Sequence, residues 1–181
     1  MVYGSRQPEG VGVISIAETL EQGEIVVLTV PYPAALELAG QETTRQTLAG
    51  KVVGDITNPL APDYMSLTVG HTTSAAEEIA SRLPGVRVVK AFNTIFGDVL
   101  KAKASGEAVS FTVFVAGDDA DAKTTVLSLG GAVGFSAVDA GALSNARYLD
   151  PLTELQIQLA NGLGHGTSIG FQFSSVGTGQ S

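Results

Sequence analysis

Four short, nearly continuous apolar runs decide what this chain can fold into. They occupy residues 24–30 (EIVVLTV), 51–56 (KVVGDI), 87–92 (RVVKAF) and 110–116 (SFTVFVA). Runs of this kind, rich in β-branched residues, fit strands buried on both faces, as in parallel sheets. Residues 2–4 read as the end of a further strand, and 135–138 as a shorter, weaker one. Helical patterns fill the intervals. Pro33 suits the first position of a helix over 34–41, where its missing N–H costs nothing. Ser74-Ala75-Ala76-Glu77 is a capping box that opens a helix through Leu83, stopped by Pro84-Gly85. Asp118 is placed to cap a helix running to about Leu129, with Gly130-Gly131 ending it. Residues 144–159 are amphipathic, with Pro151 expected to kink or break them. Strands alternating with helices imply right-handed βαβ crossovers and an α/β fold with a mostly parallel sheet.

Composition removes several classes of function. A chain of 181 residues holds one domain with a real core. Hydrophobic residues at 44% against charged residues at 15% exclude intrinsic disorder. The net charge of −8 argues against nucleic acid and against anionic membrane surfaces as partners. The absence of cysteine excludes disulfides, thiol catalysis, Cys-ligated zinc and iron–sulfur centres, and fits a reducing cytoplasm. No apolar run approaches the roughly 20 residues that span a bilayer, and no basic segment leads into an apolar one at the N-terminus. His71 and His165 are the only histidines, and no His/Asp/Glu cluster has metal-ligand spacing. There is no G-x-S-x-G elbow and no defensible nucleophile–base pair. Asp118, Asp119 and Asp121 read as a helix N-terminus. The 22 glycines point to tight turns or to backbone lying against a ligand.

Open α/β sheets bind ligands at the carboxyl ends of their strands, so candidate site residues are those that follow each run. Ser5 and Arg6 follow the first strand; a hydroxyl beside a guanidinium suits a phosphate monoester, and an ordinary polar turn is the alternative. Val30, Pro31 and Tyr32 form a stiff turn with a flat apolar surface for an adenine or ribose, or simply a rigid crossover. Thr57, Asn58, Pro59 and Leu60 follow the third; Asn58 is pushed into an extended conformation by Pro59 and could bond a ribose or carboxamide. Lys90, Asn93 and Thr94 bring polar groups to a strand end otherwise flanked by apolar residues such as Ala91 and Phe92.

Taken in order, seven segments carry a family resemblance: residues 2–6 (VYGSR), 26–37 (VVLTVPYPAALE), 52–60 (VVGDITNPL), 74–85 (SAAEEIASRLPG), 88–94 (VVKAFNT), 114–123 (FVAGDDADAK) and 139–152 (DAGALSNARYLDPL). The chain resembles the NADP-binding oxidoreductases related to NADPH-dependent coenzyme F-420 reductase. The cytosolic domains of the six-transmembrane metalloreductases are more distant relatives. The resemblance implies a Rossmann-like fold, with residues 1–140 a partial dinucleotide-binding domain and 141–173 its C-terminal helical and strand extension, expected to make the dimer contact; residues 174–181, small and polar, read as a frayed tail. It implies that Ser5 and Arg6 hold the 2′-phosphate of NADP. Val30, Pro31 and Tyr32 would lie over the adenosine half, and Thr57, Asn58, Pro59 and Leu60 near the nicotinamide. Ala91, Phe92 and Asn93 would stand at the mouth of the acceptor pocket. The implied activity is hydride transfer between NADP(H) and a second redox carrier: a deazaflavin such as coenzyme F-420, a flavin or a metal chelate. No protein acid, base or metal is required.

One departure is large. The family's first strand, Gly-rich turn and following helix have no counterpart here, and the turn normally binds the pyrophosphate. The missing strand would stand between 2–4 and 24–30. The segment 7–23 has room only for a brief strand around 11–14 and a short helix. A truncated reading frame, a rearranged or partner-supplied strand, and loss of cofactor binding all remain open. The last would leave a non-catalytic nucleotide-binding or assembly module. Open strand edges favour association, so a homodimer is expected, paired through 144–159, in a cytoplasmic protein acting on a small-molecule redox acceptor.

Overall fold

The computed structural model describes residues 14–176. The strand expected at 2–4, most of the one around 11–14, and Ser5 and Arg6 lie outside the described residues. Five strands form one sheet in chain order: β1 (Ile25–Leu28), β2 (Val52–Asp55), β3 (Arg87–Lys90), β4 (Thr112–Gly117) and β5 (Ser136–Asp139). Around them lie α1 (Ile16–Gln22), α2 (Tyr32–Gly40), α3 (Glu42–Leu48), α4 (Ala75–Arg82), α5 (Gly97–Ala104), α6 (Ala120–Ala132) and α7 (Ala146–Ile157). The fold is Rossmann-like, and β1–β2, β2–β3 and β4–β5 are parallel.

The β3–β4 pair is antiparallel, with Val89 opposite Gly117 and Lys90 opposite Ala116. This inversion fixes where a site can be. The carboxyl ends of β1, β2 and β3 share one edge of the sheet, while β4 begins at that edge and ends at the other. Asp119, just after β4, accordingly lies 3.9 Å from Arg87 at the start of β3. The acidic cluster at 118–121 is therefore remote from the candidate loops.

Alternation along the strands divides the core in two. Val53 and Val88 face α1–α4 and the start of α7, packing with Leu28, Ala35, Leu48, Ile79 and Ala146. Val52 and Val89 face α5 and α6, packing with Val99, Val113, Val115, Ala122 and Val126. All four residues of β2 are buried, as expected of a strand covered on both faces. Among the described residues, no strand pairs with the outer edge of β1.

Several local expectations need correction. Helices α3 and α5 had no clear signal: α3 (ETTRQTL) has few apolar residues and no capping side chain, and α5 is held mainly by Val99. Asp119 rather than Asp118 caps α6, accepting from the Ala122 N–H, while Asp118 accepts from the N–H of Leu143. Helix α6 runs past Gly130-Gly131 to Ala132, because Gly130 serves packing rather than termination. A Cβ there would sit 2.9 Å from that of Ala137 on β5. Helix α7 passes through Pro151 unbroken, since contacts on both sides of the proline anchor it to the sheet.

Ser74 caps α4 as expected, although its link back from Glu77 runs through the hydroxyl rather than the backbone N–H of a full capping box. Its buried hydroxyl accepts from the Glu77 N–H and donates to the Glu77 carboxylate. Arg147 of α7 then donates to both Glu77 oxygens, at 2.9 and 2.6 Å. Partial burial pushes the Glu77 carboxyl up, but bonds from Arg147 and Ser74 outweigh it and hold it below its ordinary 4.5. A carboxylate lowered in the folded state stabilises the fold above its unfolded value and loses that contribution as pH falls. Glu77→Gln should therefore cost about 1–2 kcal/mol at pH 7. It should also flatten the fall in stability below about pH 4.5, measured by urea unfolding across pH.

Candidate functional site

An ammonium group completely shut away from solvent lies beneath the carboxyl ends of β2 and β3. In the run 88–91 (VVKA), the Lys90 side chain points to the face covered by α4 and α7, and is 0% exposed. Asp55 stands opposite it in the β2–β3 register, and their charged groups meet at 3.0 Å. Asp150 of α7 completes the group, with its carboxylate 2.8 Å from Lys90. The ammonium also donates to the carbonyl of Thr57 at 2.5 Å. The remaining acceptor capacity is used locally: Asp55 accepts from the Thr57 N–H, and Asp150 from the Ala75 N–H at the start of α4.

Burial opposes the charge on Lys90, but the two carboxylates overcome it and raise the ammonium above its ordinary value. Burial also pushes the Asp150 carboxyl up, beyond what Lys90 offsets. One cation thus serves two acidic side chains, and the cluster joins five segments: β2, the loop after it, β3, the start of α4 and the middle of α7.

Just beyond Lys90 the chain turns sharply at Phe92, whose φ of 62° is left-handed. The Phe92 ring joins the core under α5 and α6, and Asn93 goes to the opposite side. Its Nδ2 group donates to Asn58 Oδ1 at 3.1 Å, to the Leu149 carbonyl at 3.0 Å and to Thr153 Oγ1 at 2.8 Å. Asn58 and Asn93, picked out separately by their places after two strands, are thus in direct contact. Asn93 and Thr57 are 6% and 4% exposed. Asn93 Oδ1 and Thr57 Oγ1 nevertheless have no hydrogen-bond partner among the described residues. Two buried polar atoms without partners in one corner fit a ligand that carries hydrogen-bonding groups.

The other candidate residues are distributed as follows. Pro31 is exposed and Val30 half-buried at the end of β1. Tyr32 instead turns into the core, and its hydroxyl donates to Glu78 at 2.7 Å. Burial, reinforced by Glu78, raises that phenol above its ordinary range. Pro59 and Ala91 are buried; Leu60 is half-buried and forms an isolated bridge with Leu67 across the loop that follows β2. Among the described residues, no group of three His, Asp or Glu side chains is placed to hold a metal ion, and no helix is long and apolar enough to cross a membrane.

The role of Asp55 and Asp150 escaped the sequence reading. A signal existed for Asp55. A lysine inside an otherwise apolar, doubly buried strand needs an anion, and Asp55 sits at the matching position of the adjacent run. Asp150 gave no comparable signal, because its approach depends on how α7 crosses the sheet.

No family model matches the chain. A solved structure from Arthrobacter sp. FB24, assigned as an F420-dependent NADP reductase, superposes with a TM-score of 0.76 at 30% identity. The match covers 90% of this chain and 74% of that one. The F420-dependent NADP reductase of Methanothermobacter marburgensis is 35% identical over 153 residues, which is 79% of this chain and 65% of that protein. Metalloreductase STEAP3 of Rattus norvegicus is 32% identical over 163 residues, 84% of this chain and 31% of that protein. The chain thus spans less than two thirds of the length of these two curated relatives. Its fold and polar strand-end corner define a Rossmann-like α/β protein. Within that class, the chain belongs to the family of the F420-dependent NADP reductases.

Lys90→Met would leave two buried carboxylates facing each other. We expect a loss of about 3–5 kcal/mol at pH 7. The loss should shrink towards pH 4, as the variant's carboxylates take up protons in the folded state. Urea unfolding of both proteins at the two pH values checks this.

Proposed function

We propose that this chain binds NADP(H) at the shared carboxyl edge of β1–β3 and acts as an oxidoreductase. It would pass a hydride between that cofactor and a second carrier of deazaflavin, flavin or metal-chelate type. The observation that carries the reading is the corner at Thr57, Asn58 and Asn93. Two of its buried polar atoms lack partners among the described residues, in a chain whose relatives are named as NADP reductases.

In this reading, Ser5 and Arg6 hold the 2′-phosphate. Among the described residues of the corner, Lys90 is the cation, and it is already committed to Asp55 and Asp150. Val30 and Pro31 support the adenosine half, together with the backbone of Tyr32, whose side chain is spent on Glu78. Thr57, Asn58, Pro59 and Leu60 lie along the nicotinamide end, and Ala91, Phe92 and Asn93 at the mouth of the acceptor pocket. When bound, NADPH supplies the hydride. The chain's own residues bind, orient and exclude water, and no protein acid or base is required.

The reading includes a cytoplasmic homodimer paired through α7, where Tyr148 and Leu155 are exposed. Light scattering should then give twice the mass of one chain, and a monodisperse monomer would remove the dimer.

Calorimetric titration of the 181-residue chain with NADPH, with NADH as control, tests the central claim. Selective micromolar binding of NADPH is expected. Arg6→Ala should weaken NADPH binding by about 1.5–3 kcal/mol, the size of a charged hydrogen bond, and leave NADH binding unchanged. Equal losses for both cofactors would remove Arg6 from the 2′-phosphate. Tight NADPH binding with no hydride transfer to any flavin or deazaflavin would instead favour a non-catalytic nucleotide-binding module.

A further inference from the structure

A buried cluster of one lysine and two aspartates is an expensive way to fill a core. Apolar residues of similar volume often do so at equal or better stability. Its value here is in what it ties together. The Thr57 carbonyl, bonded to Lys90, immediately precedes Asn58. The Asp150 carboxylate, paired with Lys90, immediately follows Leu149, and the Leu149 carbonyl accepts from Asn93. Lys90 and Asn93 therefore grip the same two segments, one from beneath the strand ends and one at their rim. The Asn58–Asn93 contact closes the arrangement.

We propose that Lys90 is the positioning residue of the candidate site, setting the separation and orientation of Asn58 and Asn93 through the Thr57 carbonyl, Asp55 and Asp150. This rests on the proposed function only in what the pair is held ready for. The geometric claim stands apart from it. An ammonium hydrogen-bonded to Asp55 and the Thr57 carbonyl, and ion-paired with Asp150, constrains the loop after β2 more tightly than apolar packing would, because hydrogen bonds to a charged donor are short and directional. It also locks α7 to β3 at the level of the site, so that Leu149 and Thr153 present their oxygens to Asn93.

The test uses a variant without buried charge, since Lys90→Met alone leaves two buried carboxylates without a cation. Asp55→Asn, Lys90→Met and Asp150→Asn are combined in the full chain, keeping volumes close to native. Two readouts are taken on the 15N-labelled protein and on the enzyme. The first is proton exchange of the Asn93 side-chain amide. It should speed up about tenfold or more in the variant, while the backbone amides of β2 and β3 keep their protection. The second is steady-state hydride transfer from NADPH to a flavin or deazaflavin. Here kcat should fall about 10- to 100-fold while KM for NADPH stays within about twofold, as expected when an oriented group moves without loss of binding.

Unchanged Asn93 exchange overturns the proposal, as does unchanged kcat in an active enzyme. Failure of the charge-free variant to fold also overturns it, by making Lys90 a requirement of the core rather than of the site. If the wild-type chain transfers no hydride, the proposed function fails, and Asn93 exchange still decides the role of Lys90.

Discussion

The Lys90 ammonium is the point on which the functional half of the molecule depends. It has no solvent, so each of its bonds must be made by protein. Three groups from three segments answer that demand: Asp55 from β2, the Thr57 carbonyl from the following loop, and Asp150 from α7. Asp150 in turn needs a donor on its other oxygen and takes it from the first turn of α4, where the helix dipole favours negative charge. The charge requirement of one side chain thus spreads outward until it has fixed a loop, two helices and a strand. Apolar packing alone would place α7 on the sheet, but it would specify that helix's height along β3 less sharply.

The antiparallel β3–β4 pair adds a second constraint. In a wholly parallel sheet, five strand ends would share one edge and the ligand could spread over all of them. Here only three do, and β4 enters where β3 leaves. Polar groups that follow β4 and end β5, such as Lys123 of α6 paired with Asp139, are directed to the other edge and serve the turn that leads to α7. The candidate loops after β1, β2 and β3 therefore share one edge; Thr57 Oγ1 and Asn93 Oδ1 lie there, while the other buried side-chain atoms without hydrogen-bond partners among the described residues, on Asp150, Glu154 and Gln156, belong to α7.

Much of this frame was legible in the sequence, because burial on two faces leaves a direct trace. The runs at 24–30, 51–56, 87–92 and 110–116 all contain strands, and Ser74 caps its helix as the local pattern requires. Treating strand ends as places where chemistry collects picked out Asn58 and Asn93 separately; their contact appears only in the structure. What could not be read were features set by tertiary contact. The direction of β4 depends on how the short α5 returns the chain, and the fate of Tyr32 depends on Glu78, 46 residues away. Gly130 looked like a helix stop because glycine usually is one at such a place. Only the proximity of Ala137 reveals that a side chain would not fit there.

One strained residue of the candidate site lies close to that glycine. Phe92 holds a left-handed backbone, a conformation that costs a non-glycine residue roughly 1–2 kcal/mol. The cost is tolerable because the ring is held in place. A Cβ on Gly130 would stand in ordinary contact with Phe92 Cζ at 3.9 Å, so it is the approach of Ala137 that demands the glycine, and the aromatic ring packs beside the same helix surface. With the Phe92 ring seated in one core, the reversed backbone delivers the next side chain to the other side of the sheet. Asn93 thereby reaches Asn58, Leu149 and Thr153 at once. Strain at Phe92 and charge at Lys90 are thus two parts of one device. The first aims Asn93, and the second holds in place the groups it is aimed at.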